Sequence, residues 1–127
     1  MNPSKGRPRD PDRARHMLEA AQLIIDFTQG RTFQDLLSDA LFRSAVERQF
    51  EILGEASSHI SAATQALWPS IEWARIKNFR NLLAHEYFRT NYAEVWNIAR
   101  TLLPGLLPTL ENLFAELDRE FGPNAGV

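Results

Sequence analysis

From Met17 to Leu117 the apolar residues return every third or fourth position, and no stretch of strand length alternates between apolar and polar. That period places them on one face of a helix and leaves no material for a sheet. Asp10-Pro11 offers a carboxylate cap followed by proline at the first helical position. Met17, Ala20, Ala21, Ile24 and Phe27 follow, with Leu23 beside them, and Gly30 is a stop; a first helix is predicted over about Pro11 to Gln29. Thr32 with Asp35 has the capping-box pattern, and no glycine or proline follows until Gly54. A second helix is therefore predicted to run unbroken through Leu36, Leu37, Ala40, Leu41, Ala45, Phe50, Ile52, Leu53, Ala56 and Ile60. Gly54 costs that helix about 1 kcal/mol relative to alanine. Its place near Ala56 and Ser57 predicts close approach of another backbone. Arg48, Glu51 and Glu55 share a stripe, which predicts ion pairing along the helix.

Trp68-Pro69 breaks the pattern, and Ser70 is placed to cap a third helix carrying Trp73, Ile76, Phe79 and Leu83. Asn91 with Glu94 signals another start, followed by Val95, Ile98, Ala99, Leu102, Leu103, Leu106, Leu110, Leu113, Phe114 and Leu117. Pro104 should kink or split this last helix, and Pro108 is placed to open its second half. The expected fold is all-α: an antiparallel bundle of four to five helices with short loops.

A chain of 127 residues is one domain by size and buries a core without staples. Residues 1–9 hold two prolines, a glycine and three basic residues and read as a flexible basic arm. Residues 10–120 are the helical domain, and 121–127 are expected to be a disordered tail. The absence of cysteine excludes disulfides, thiolate metal sites and a thiol nucleophile. The charged N-terminus and the prolines that interrupt Leu102–Leu107 predict a soluble, cytoplasmic protein with no membrane span. Net charge is only −2, yet Arg75, Lys77, Arg80 and Arg89 face just Glu72 and Glu86 between residues 72 and 89. That segment suits an anionic ligand, or is an ordinary solvated face.

Within it, Arg80-Asn81-Leu82-Leu83-Ala84-His85-Glu86-Tyr87 holds the densest set of reactive side chains, at the end of the third long helix. On a straight helix Arg80 and Tyr87 share a stripe, while His85 lies roughly 140° round the axis from Arg80. Arg80 and His85 meet only if the helix unwinds before His85, if the arginine reaches round, or if two copies face each other in a dimer. Arginine grips a phosphate bidentately, and histidine moves protons near neutral pH. With no metal ligands close by, the pair suits metal-independent cleavage of RNA, whose 2′-OH is its own nucleophile. Glu86 is placed to orient the imidazole, Asn81 to assist, and Tyr87 adds a hydroxyl. His59 reads as a surface residue, and His16, His59 and His85 are too far apart in sequence to suggest a metal site. A plain C-terminal cap cluster, with cations favoured by the helix dipole, is the competing structural account.

Arg80-x4-His85-x-Tyr87 resembles the R-x4-H-x-Y signature of HepT-like proteins, members of the HEPN nuclease superfamily. The likeness extends to the segment from Ala45 to Ala56, to Ile71-Glu72-Trp73, to Arg80-Asn81 and to Leu103-Pro104. It runs from about Asp10 to Glu120; the extended basic arm departs from it. It implies an all-α, dimeric, metal-independent endoribonuclease toxin of a type VII-like toxin–antitoxin system, needing no cofactor. Arg80 and His85 would be catalytic. A minimal nucleotidyltransferase antitoxin would attach AMP to Tyr87 and silence the site. Some HEPN proteins only bind, so a non-catalytic nucleotide- or RNA-binding module is the alternative.

Overall fold

The three- and four-residue spacing is realised as helices throughout the computed structural model, which describes residues 7–83, 91–123 and 125. Among the described residues there is no strand, and no helix is long and apolar enough to cross a membrane. Three helices of 19 residues dominate: α1 (Asp10–Thr28), α3 (Ala40–Ser58) and α8 (Leu103–Phe121). Short helices link them: α2 (Phe33–Ser38), α4 (Ala62–Leu67), α5 (Trp73–Lys77), α6 (Phe79–Leu82) and α7 (Tyr92–Asn97). Helix α1 packs on both α3 and α8, and α3 also receives α5 and α6. Met17 and Ile24 of α1, Phe50 and Leu53 of α3, and Leu110 and Leu113 of α8 are fully buried at the centre.

Several sequence signals act as expected. Thr32 and Asp35 exchange both capping-box hydrogen bonds, the Asn91 side chain accepts from the Glu94 N–H, and Gly30 takes the left-handed φ of 74°. Other boundaries differ, each for a local reason. The second helix is not continuous. Asp39 leaves the helical region, and its carboxylate accepts from the Phe42 N–H (3.1 Å) and from Arg31 (2.7 Å). The Phe42 amide and then Arg31 hold that carboxyl below the usual carboxylate range. The break resets the helical phase: Phe42 and Val46 turn inward, while Leu37 and Leu41, expected in the apolar face, are exposed, Leu41 by 83%.

The third long helix is also corrected. Its described part is two short helices, α5 and α6, separated at Asn78, and the Ser70 side chain caps neither. The last helix is divided by a π-helical turn, Ile98–Leu102, just before Pro104. The wider turn gives the proline ring room where a regular helix would set it against the carbonyl four residues back. Pro108 opens nothing; it lies inside α8, and the Pro104 carbonyl goes without its intrahelical partner.

Asp10 does not cap α1 either. It is the first residue of the helix, fully buried, and its carboxylate accepts from the Ser61 N–H (3.0 Å), Ser61 Oγ (2.7 Å) and Thr64 Oγ1 (2.5 Å). Where the flexible arm was expected, residues 7–9 form a 3-10 turn; Arg7 donates to Thr64 Oγ1 and lies over the Phe121 ring. Helix α8 runs one residue into the expected tail.

Candidate active site

The approach of α6 to α3 begins at Gly54. A Cβ placed there would lie 3.1 Å from Arg80 Cγ and 3.3 Å from the Ile76 carbonyl oxygen, so any larger side chain would make these neighbours give way by a few tenths of an ångström. The close approach expected from the sequence is thus real, and its partner is the segment carrying the motif. Ile76 and Phe79 are buried beneath that segment, and the Phe79 and Phe50 rings meet at 5.4 Å between centroids, tilted by 57°. With Phe79 turned inward, the next residue, Arg80, projects outward with its side chain 60% exposed.

Arg80 Nη1 donates to Glu55 Oε2 at 2.9 Å, while the other oxygen of the same carboxylate meets His59 Nε2 at 2.9 Å. The hydrogen bond from His59, and after it the charge of Arg80, hold the Glu55 carboxyl below its ordinary value; slight burial opposes them. An ionised carboxylate only accepts, so Nε2 is the imidazole nitrogen that carries hydrogen toward it. Arg13 contributes a weaker favourable field. The expected stripe on α3 is therefore only half right. Arg48 pairs with Glu51 at 3.4 Å, but Glu55 turns to α6 and to the residue past its own helix end.

These groups line a cavity of about 440 Å³ where α1, α3 and α6 meet. Arg13 and His16 enter from α1, Arg48, Glu51 and Glu55 from α3, and Arg80 from α6, with His59 and Leu83 at the edge. Among the described residues three guanidinium groups face two carboxylates, a net positive lining before either imidazole is counted. It can receive an anion and supplies two proton-transfer groups beside it. His16 and His59, set aside in the sequence as too distant from each other, share this cavity. Local signals for them existed: Arg13 lies four residues before Met17 at the margin of the apolar stripe of α1, with His16 three residues further on, and Glu55 and His59 are four apart. Among the described residues no group of three or more His, Asp or Glu side chains is placed to hold a metal ion.

Of the residues singled out from the sequence, Arg80 lies in the cavity. Asn81 turns elsewhere, donating to Asn78 Oδ1 at 3.0 Å. His85, Glu86 and Tyr87 lie outside the described residues. Helix α6 as described ends at Leu82, so the angles reckoned for one straight helix stop there. The Asn91 N–H donates to the Leu82 carbonyl at 3.3 Å, which brings the chain back to the point it left.

Residues 17–113 match the family model described as "Ribonuclease HepT-like". A Thermococcus cleftensis protein named "Probable ribonuclease HepT" is 36% identical over 95 residues, 75% of this chain and 86% of that one. A Methanocaldococcus jannaschii protein whose name puts it forward as an RNase is 32% identical over 95 residues, 75% of this chain and 87% of that one. No solved structure matches the chain.

Proposed function

The chain belongs to the HepT-like ribonuclease family, and from that premise we propose that it is a metal-independent endoribonuclease toxin whose catalytic pair is Arg80 and His85. One observation supports this most: the motif arginine projects into a net positive cavity large enough for a nucleotide unit. His85 follows the cavity-lining Leu83 by two residues in the chain.

The chemistry is that of RNA transesterification. His85 takes the proton of the 2′-OH, and that oxygen attacks the adjacent phosphorus. Arg80 stabilises the negative charge gathered on the phosphoryl oxygens. The bond to the 5′-oxygen breaks, and that oxygen leaves with a proton taken from solvent water, while His85 returns the 2′-OH proton to solvent. The products are a 2′,3′-cyclic phosphate and a 5′-OH. Arg80→Ala and His85→Ala should each lower cleavage at least about a hundredfold while the protein stays folded. Gel-resolved cleavage and far-UV circular dichroism measure the two effects, and cleavage that survives both substitutions refutes the assignment.

Control by a nucleotidyltransferase antitoxin belongs to the same proposal. AMP on Tyr87 would add negative charge and bulk to the motif that carries the arginine and repel the substrate phosphate. A homodimer would set two motifs face to face; these points rest on the family resemblance. A second reading takes support from Glu55, which already occupies the Arg80 guanidinium. On that reading the protein binds RNA or nucleotide without turnover, and binding assays would saturate with no product formed.

A further inference from the structure

A pocket for phosphate should exclude carboxylates, since like charges repel at short range. Glu55, like Glu51, breaks that rule in the lining of the cavity. It does so with both oxygens engaged: Oε2 holds Arg80 Nη1, and Oε1 is held by His59 Nε2, each at 2.9 Å. A carboxylate fixed at one oxygen presents the other in a set direction. The guanidinium at the far end of a long, half-exposed side chain is thereby aimed rather than left to sample many rotamers. The preceding residue makes this possible, because Gly54 lets the Arg80 stem pass directly over α3. Glycine and glutamate, adjacent in sequence, govern the distance and the direction of one arginine.

We propose that Glu55 is a positioning residue of the RNA-cleaving site: it holds the Arg80 guanidinium in the cavity before substrate arrives and yields it to the scissile phosphate, while His59 keeps the carboxylate aimed. The inference rests on the ribonuclease reading above. It carries a consequence that a purely structural ion pair would not have. The incoming phosphate must displace Glu55, so the carboxylate opposes binding. The same carboxylate fixes the arginine's direction, so it favours turnover. Removing its charge should move the two quantities in opposite senses.

The experiment uses the full chain with two readouts. Fluorescence anisotropy measures binding of an uncleavable 2′-O-methyl RNA oligonucleotide, and single-turnover assays measure cleavage of the matching RNA. Glu55→Gln should bind about three- to fivefold tighter, the scale of an exposed ion pair. It should cleave about tenfold slower. The gain in binding should vanish in the Glu55→Gln/Arg80→Ala double variant. His59→Ala should shift both readouts the same way by less, and should add nothing once Glu55 is Gln. Glu55→Asp keeps the charge and loses the reach, so it should slow cleavage without tightening binding; it serves as the second variant if Glu55→Gln unfolds. Glu55→Gln that binds no tighter, or cuts at the wild-type rate, overturns the proposal, as does a binding gain that persists without Arg80. If the wild type cuts no RNA, the ribonuclease reading fails, and the anisotropy arm alone still decides whether Glu55 restrains Arg80.

Discussion

At Glu55 the His59 hydrogen bond comes first, and the Arg80 charge second, in keeping the proton off the carboxyl, whose ordinary value is 4.5. The folded chain therefore releases that proton more readily than the unfolded chain. The stabilisation is whole above the unfolded value of 4.5 and is lost as pH falls through the lower, folded value. An NMR titration of the Glu55 side-chain carboxyl carbon should show a midpoint below 4.5 that rises toward 4.5 in His59→Ala. An unmoved midpoint would mean that the hydrogen bond does not govern this site. Arg80 was legible in the sequence because a motif names it. Glu55 was not. Its decisive contact crosses from α3 to a residue 25 positions away, and the intrahelical spacing that guided the reading assigned it to Glu51's stripe instead. Only its bond to His59, four residues on, lay within reach of helical periodicity.

Among the elements, α3 with α6 is where a single atom governs the geometry. Gly54→Val should cost about 2 kcal/mol in urea unfolding, because the branched side chain meets Arg80 Cγ and the Ile76 carbonyl while gaining little helix propensity. It should also slow RNA cleavage by more than its effect on stability explains, since α6 would lift away with Arg80. The sequence announced this packing through one unexpected glycine in a helix. It announced α1, both cap pairs and Gly30 as well, each through a signal confined to a few residues. It hid the break at Asp39, since an aspartate inside a periodic apolar run carries no mark of whether its carboxylate will turn back onto the chain. Asp39 does so because Arg31 and the Phe42 amide both meet it. The division of the motif-bearing helix at Asn78 was hidden for a similar reason: Trp73, Ile76 and Phe79 keep helical spacing across it.

For the molecule as a whole, the cavity is a product of assembly: α1, α3 and α6 each bring charged groups that are far apart along the chain. Such meetings are hard to read from local patterns, so His59 passed for a surface residue and His16 was set aside with it as too far off to share a site. The proposed control can be tested at this scale. Co-expression with a nucleotidyltransferase antitoxin should add the mass of AMP to the wild type and not to Tyr87→Phe, as read by intact-mass spectrometry; equal gains in both would place the modification elsewhere. The Asp10 tie has a different bearing, on the order in which the chain is made. Its donors lie 51 and 54 residues downstream, on the turn and helix that open α4. At about 5–20 residues per second of synthesis, roughly 3–10 s pass before they emerge. For that interval the Asp10 carboxylate lacks its protein donors. Residues 61–64 complete that tie soon after α3 has been made, while α8, which also packs on α1, follows only with residues 103–121.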